Sequence, residues 1–126
     1  MRAILDTSVL IAADVYPLDG ELAISAASLA ELHFGVLVAS EASVRAERLR
    51  RLSELQRTFD ALPVDDHVAT SYGQLAAAVV AAGRQPRARV MDILIAATAH
   101  AHSARLYTRN AADLAGIEHL VEIVSV

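Results

Sequence analysis

The chain has 126 residues, with 11 basic side chains against 15 acidic ones and a formal charge of −4 at neutral pH. That length suits one domain burying a core unaided, and the absence of cysteine excludes a disulfide framework and thiolate chemistry. A hydrophobic content of 55% places the chain among globular proteins rather than disordered ones, while the acidic balance speaks against a generic nucleic-acid binder with a basic surface.

In chain order, short apolar runs bounded by turn residues predict strands near residues 2–5 (RAIL), 22–25 (LAIS), 62–64 (LPV), 105–108 (RLYT) and 120–124 (LVEIV). A helix is expected to begin at Thr7 or Ser8, directly after the first strand. Ser28-Leu29-Ala30-Glu31 has the form of a capping box and opens a helix over 28–39. A further helix spans about 41–59, with Leu49, Leu52 and Leu55 on one face. The next runs over 65–82 and closes at Gly83, and the last starts near Val90 or Met91 and reaches His102. Between them the segment Gly83–Arg87 reads as a loop. Strands alternating with helices imply an α/β fold: a mostly parallel central sheet flanked by helices on both faces, in a single domain over 1–126. The apolar start AILDTSVLIAA is broken by Asp6, with Asp14 soon after, which is unlike a signal peptide. No uncharged apolar run approaches a membrane span, so a cytoplasmic protein without membrane association is expected.

Asp6 raises the first chemical question, because a buried carboxylate without a partner neutralises itself or disturbs the fold. It could cap the helix beside it, form an ion pair, or ligate a cation. Ligand sites of open parallel sheets lie outside the carboxyl ends of the strands, and Asp6 falls at that edge. Glu31 follows the second strand, Asp92 stands at a helix start, and Asp113 lies one short turn beyond Thr108-Arg109-Asn110, where another strand ends. Each has a plain structural reading: Glu31 as the capping-box partner of Ser28, Asp92 as a first-turn acid favoured by the helix dipole, Asp113 as a loop acid. Four carboxylates converging on one edge repel one another unless a divalent cation neutralises them. Oxygen donors without cysteine or paired histidine favour Mg²⁺, with Mn²⁺ as a substitute, over Zn²⁺. His100 and His102 stand ~200° apart around a helix and cannot share an ion.

These segments together, LDTSVLIA around Asp6, SAASLAELHFGV around Glu31 and MDILIAATAHAHSARLYTRNAADLAGI around Asp92 and Asp113, resemble the PIN-domain family, and within it the VapC-type ribonuclease toxins of toxin–antitoxin pairs. The resemblance spans nearly the whole chain. It implies that Asp6, Glu31 and Asp92 are metal-site acids of a metal-dependent endoribonuclease. The fourth place falls in TRNxxD, where Asn110 and Asp113 are both candidates and Asp113, the acid, is preferred. Thr7, Ser8, Thr108, Arg109 and Asn110 are candidates for supporting the ligands or touching substrate, and Thr7, Ser8 and Thr108 have alternative readings as caps or strand ends. The resemblance further implies Mg²⁺-assisted RNA hydrolysis by a metal-bound water, leaving a 5′-phosphate and a 3′-hydroxyl, and an antitoxin protein that holds the enzyme inactive.

Other readings weaken against particular residues. A receiver domain needs a lysine, and the chain has none; a haloacid-dehalogenase-type phosphatase wants an acid where Ser8 stands. No GxG or GxSxG occurs. The rival from another class is a non-catalytic module of the same fold that binds a partner protein. The apolar stretches LHFGVLVA (32–39) and LAAAVVAA (75–82) are candidate surfaces for the antitoxin or for a second copy, making a homodimer the expectation, or else they are core. Arg45, Arg48 and Arg51 recur at helical spacing and could follow a phosphate backbone, but Glu41/Arg45, Glu47/Arg51 and Arg50/Glu54 stand at i,i+4 like a self-paired surface. Arg84, Arg87 and Arg89, in or beside the loop leading to Asp92, are better placed to meet RNA. Tyr16, Phe34, Phe59, Tyr72 and Tyr107 are too dispersed for a stacking platform and are expected mostly in the core.

Overall fold

The computed structural model describes residues 1–12 and 17–126; Asp14 and Tyr16 lie outside the described residues. The elements are β1 (Arg2–Leu5), α1 (Thr7–Leu10), β2 (Glu21–Ser25), α2 (Ala26–Leu37), α3 (Ala42–Thr58), β3 (Ala61–Leu62), α4 (Asp66–Ala81), α5 (Val90–Ala101), β4 (Arg105–Thr108) and β5 (Ile123–Ser125). Single 3₁₀ turns occupy Pro86–Arg89 and Ala111–Leu114. The five strands form one sheet in the order β3-β2-β1-β4-β5, every pair parallel. Alternation along the strands divides the core in two. Ile4 and Leu106 face α4 and α5, packing with Leu75, Ile93 and Ile117, whereas Ala3, Leu5 and Tyr107 face the side where Val9, Leu10, Leu32 and Leu55 gather. Helices therefore cover both faces, as expected for a parallel sheet.

Several boundaries differ from expectation for local reasons. The helix expected at 28–39 begins at Ala26 instead, with Ser25 as its N-cap: the Ser25 hydroxyl accepts from Ala27 N at 3.1 Å and lies 3.0 Å from Thr98 Oγ1. Ser28 is consequently not a cap but a buried residue inside the helix, and Glu31 is free of the capping role. β5 starts three residues later than predicted, because Leu120 N and Val121 N both bond back to Ile117 O in a closed turn. Part of the loop expected over 83–87 is the 3₁₀ turn that opens at Pro86. Gly83, with φ +80°, ends α4 as predicted: Gly83 N bonds to Val80 O and Arg84 N to Val79 O.

Along α3 only Leu52 is fully buried and Leu49 is half exposed, while Leu55 packs with Leu32 of α2 against the second core. Phe34 and Leu37, expected in the core on one reading, are 66% and 72% exposed. Arginines also hold the α2–α3 hairpin. Arg45 donates to Ala39 O (3.0 Å) and Arg48 to Gly35 O (2.7 Å), while Arg51 donates to Leu10 O through Nε and Nη2 (3.0 and 2.6 Å) and to Ala12 O (3.0 Å). Of the i,i+4 pairs expected along this helix, Arg50/Glu54 forms, joined by Arg50/Glu47. The other two are replaced by these bonds to carbonyls left open at helix ends. Among the described residues no helix is long and apolar enough to cross a membrane.

Two substitutions test this account by denaturant titration. Ser25→Ala is expected to lose about 1–2 kcal/mol through the missing cap, whereas Ser28→Ala loses no cap. Arg51→Met is expected to lose about 1–3 kcal/mol by leaving two carbonyls without their charged donor.

Candidate active site

Three of the four candidate acids follow from how the strands end. Asp6 directly follows β1, and its backbone N–H extends the ladder to Tyr107 O at 2.9 Å. It occupies the N-cap position of α1, yet its side chain makes no capping bond. The carboxylate turns to the sheet edge, where Oδ2 accepts from Ser8 Oγ at 2.6 Å and Thr108 Oγ1 at 2.8 Å. Each hydroxyl is itself oriented by a backbone donor, Arg109 N on Ser8 Oγ and Asn110 N on Thr108 Oγ1, both at 3.0 Å. With its single proton committed to Asp6, each hydroxyl accepts from the chain behind it. Asp6 is only 6% exposed, and no ion pair to it occurs among the described residues.

Glu31 projects from α2, which starts at the carboxyl end of β2. Thr7 connects it to the first strand: its hydroxyl donates to Glu31 Oε1 at 2.7 Å and lies 2.9 Å from Ser28 Oγ. Asp92 is in the first turn of α5, and Asp113 is in the 3₁₀ turn after β4. The electrostatics of Asp92 place the other three acids near enough to act on it. Its carboxyl is pushed above the usual carboxylate range, first by burial and then by the negative charges of Asp6, Glu31 and Asp113, with Arg89 opposing. Arg89 also pairs with Asp113 Oδ1 at 3.2 Å. Asn110, the other candidate for the fourth place, is exposed, and its side chain makes no capping bond.

This donor set is all oxygen, partly buried and served by hydroxyl donors, which is the chemistry of a hard divalent cation site. Among the described residues no group of three or more His, Asp or Glu side chains is arranged to enclose an ion. Glu31 is drawn toward Thr7 and Asp113 toward Arg89. The residues suit a divalent cation by donor type, with Asp6 and Glu31 already held at the sheet edge by hydroxyl donors.

The remaining candidates separate clearly. His100 Nδ1 pairs with Ser71 Oγ (2.8 Å) and His102 Nδ1 with Arg2 Nη1 (3.0 Å), so the two histidines serve different contacts away from the acids. Arg84 is tied through Nη1 to Ala112 O and Ala115 O (3.1 and 3.2 Å), beside the turn that bears Asp113. Sequence reasoning missed the role of Ser28 and the Arg51 clamp on α1. The partners of Arg51 are backbone carbonyls about forty positions away, for which no sequence pattern exists.

Comparison with known proteins agrees with this architecture. The PIN domain family model matches residues 3–117. Ribonuclease VapC8 of Mycobacterium tuberculosis is 38% identical over 76% of this chain and 88% of its own length. Ribonuclease VapC5 of the same organism is 34% identical over 98% of this chain and 94% of its own. The crystal structure of VapBC-5 from that organism, described as a member of the VapBC family of toxin–antitoxin systems, superposes with a TM-score of 0.82 at 31% identity, covering 99% of this chain and 97% of the other. A sheet of five parallel strands, a family model over most of the chain and relatives above 30% identity together make this chain a member of the PIN-domain family, grouped with the VapC proteins.

Proposed function

We propose that the chain, as a single domain over 1–126, is a divalent-metal-dependent endoribonuclease and the toxin of a toxin–antitoxin pair. The observation that carries this reading is the convergence of Asp6, Glu31 and Asp113 on the partly buried Asp92. In this reading Asp6, Glu31, Asp92 and Asp113 are the metal-binding and catalytic acids, and the cation is Mg²⁺, with Mn²⁺ as a substitute. A cation bound there supplies a water of lowered pKa and positive charge to offset the phosphate oxygens. The chain's own residues do the rest. Ser8 and Thr108 hold the Asp6 carboxylate in place through two hydroxyl bonds, and Thr7 holds Glu31 within reach. Partial burial of Asp92 strengthens the attraction between its carboxylate and a cation bound there relative to water. Arg109 and Asn110 stand at the exposed rim, where an RNA backbone passes.

The partner follows from the α2 face. Phe34, Leu37 and Val38 are exposed, and a cavity of about 480 Å³ lies beside them between α2 and α3, lined by Thr7, Ile11, Glu31, Leu32, Gly35 and Leu52 among others. It reaches Glu31 itself, so an antitoxin segment seated there covers apolar surface and obstructs the acids at once. The VapBC-5 relative is described as belonging to a toxin–antitoxin system, which supports the same assignment. A homodimer and a cytoplasmic location complete the proposal.

The direct test is cleavage of a mixed RNA preparation by purified protein with Mg²⁺, with excess chelator, and with an identically purified Asp92→Asn variant. Cutting is expected only with metal, and the variant is expected to lose about 100-fold or more; undiminished cutting by a folded variant refutes the assignment of Asp92. A second test uses stability in metal-free buffer. Because the folded-state pKa of Asp92 is raised, the native state binds the extra proton, and stability falls as pH climbs from the unfolded value of about 3.9 through the raised one. Asp92→Asn is therefore expected to melt higher than the wild type at pH 7, with the difference closing below about pH 4. Added Mg²⁺ should raise the melting temperature of the wild type and not that of the variant.

A further inference from the structure

A second cavity, of about 220 Å³, is lined in part by Arg89 and Asp113 and so adjoins the acid cluster. Its floor is apolar, made by Val79, Ile93, Leu114 and Ile117, all buried. Arg84, Gln85 and Arg89 stand along its lining, and Asp113 belongs both to this lining and to the charges felt by Asp92. The volume is below the range of drug-sized pockets and suits a single ring system. An apolar floor rejects a phosphate and rewards a flat ring.

The polar side chains narrow the occupant further. Arg84 is immobilised through Nη1 by two carbonyls, while its Nε and Nη2 make no hydrogen bond among the described residues. The guanidinium is therefore a pre-positioned plane, the kind of surface on which unpaired bases stack. Gln85 presents an amide with both donors and an acceptor, able to read a base edge. Arg89 stands between cavity and acids, close enough to pair with Asp113 and to oppose the shift of Asp92. A planar, hydrogen-bonding ring joined to an anionic linker matches all of these together; an apolar side chain of a partner protein uses the floor and leaves the three polar groups idle.

We propose that this cavity seats one unpaired nucleobase of the RNA strand, adjacent to the phosphodiester bond that is cut, with Arg84 against its face, Gln85 at its edge and Arg89 on the linking phosphate. This rests on the reading of the acid cluster as a ribonuclease site. It makes the cavity a determinant of cleavage preference.

The test follows the ¹³C-labelled methyl groups of Ile93, Leu114 and Ile117 by NMR while wild-type protein is titrated with a mixed-sequence single-stranded RNA dodecamer. Ca²⁺ replaces Mg²⁺ to limit cutting. Upfield ring-current shifts of these floor methyls are expected on binding. Ala115→Trp, which fills the cavity mouth, should weaken RNA binding about tenfold, the loss of roughly one stacked base. Ala88→Leu gives the same test from the 3₁₀ turn at Pro86–Arg89 should the first variant not fold. Floor methyls that stay unshifted, or a filled cavity that binds RNA as the wild type does, overturn the proposal, and metal-dependent cutting by the same sample then leaves the nuclease reading standing. Shifted methyls without cutting once Mg²⁺ is restored have the opposite meaning: the seat exists and the nuclease reading fails.

Discussion

Like charges brought together at a sheet edge are the constraint around which this fold is organised. Asp92 carries this cost, since burial and the negative charges of three other acids raise its carboxyl above its ordinary value. The structure restrains the four by separate means. Asp6 has two hydroxyl donors, Glu31 has Thr7, Asp113 has Arg89, and Asp92 lies in the first turn of α5, where the helix dipole favours an anion. Each of these contacts positions an acid without cancelling the repulsion that raises Asp92, a cost that positive charge arriving among them would relieve.

The parallel sheet makes the gathering possible. Asp6, Ser25 and Thr108 come where β1, β2 and β4 end, and a parallel register brings those ends to one side. The supports are then shared between neighbours. Thr108 at the end of β4 bonds the acid at the end of β1, and Ser25 at the end of β2 bonds Thr98 in the helix that bears Asp92. Arg51 adds a longer link, because it fixes the carbonyl of Leu10, the last residue of the short α1 turn that begins with Thr7 and Ser8, and that of Ala12 just beyond it. The exposed α2–α3 hairpin is thus mechanically connected to the two side chains that support Glu31 and Asp6.

What was legible in the sequence is what depends on local pattern. The strand at RAIL, the helix after Asp6, the closure at Gly83 and the two-faced parallel sheet all follow from apolar periodicity and turn chemistry. That the scattered acids Asp6, Glu31 and Asp113 come near enough to Asp92 to act on its carboxyl follows once the strands are taken as parallel. The failures share a cause, namely a nearby competitor for the same group. Ser28 fits a capping box by spacing, but Ser25 lies at the strand end and caps first, so Ser28 is drawn inside. Arg45 and Arg51 have acids at helical spacing, yet open carbonyls of other elements compete better than exposed carboxylates, whose pairing in water is worth little. Phe34 and Leu37 belong to an apolar run that reads as core, and a helix face exposed for other reasons has no separate sequence signature.

Arg89 shows why the two halves of the site belong together. Its pair with Asp113 joins two partly exposed side chains at 3.2 Å, a kind of contact that contributes about 0–1 kcal/mol. A bond that weak is easily exchanged for a stronger one. Positive charge gathered at the acids competes for Asp113, and a phosphate offers Arg89 a bidentate partner that a single carboxylate oxygen does not. The same side chain that relieves the cluster when it stands alone is therefore positioned to turn toward substrate when the cluster is neutralised. Its neighbour Arg84 cannot do this, since two carbonyls hold it in place. One arginine that can be released and one that cannot, on the same cavity, correspond to a phosphate that must be engaged as the strand arrives and a ring that needs a fixed surface to rest on.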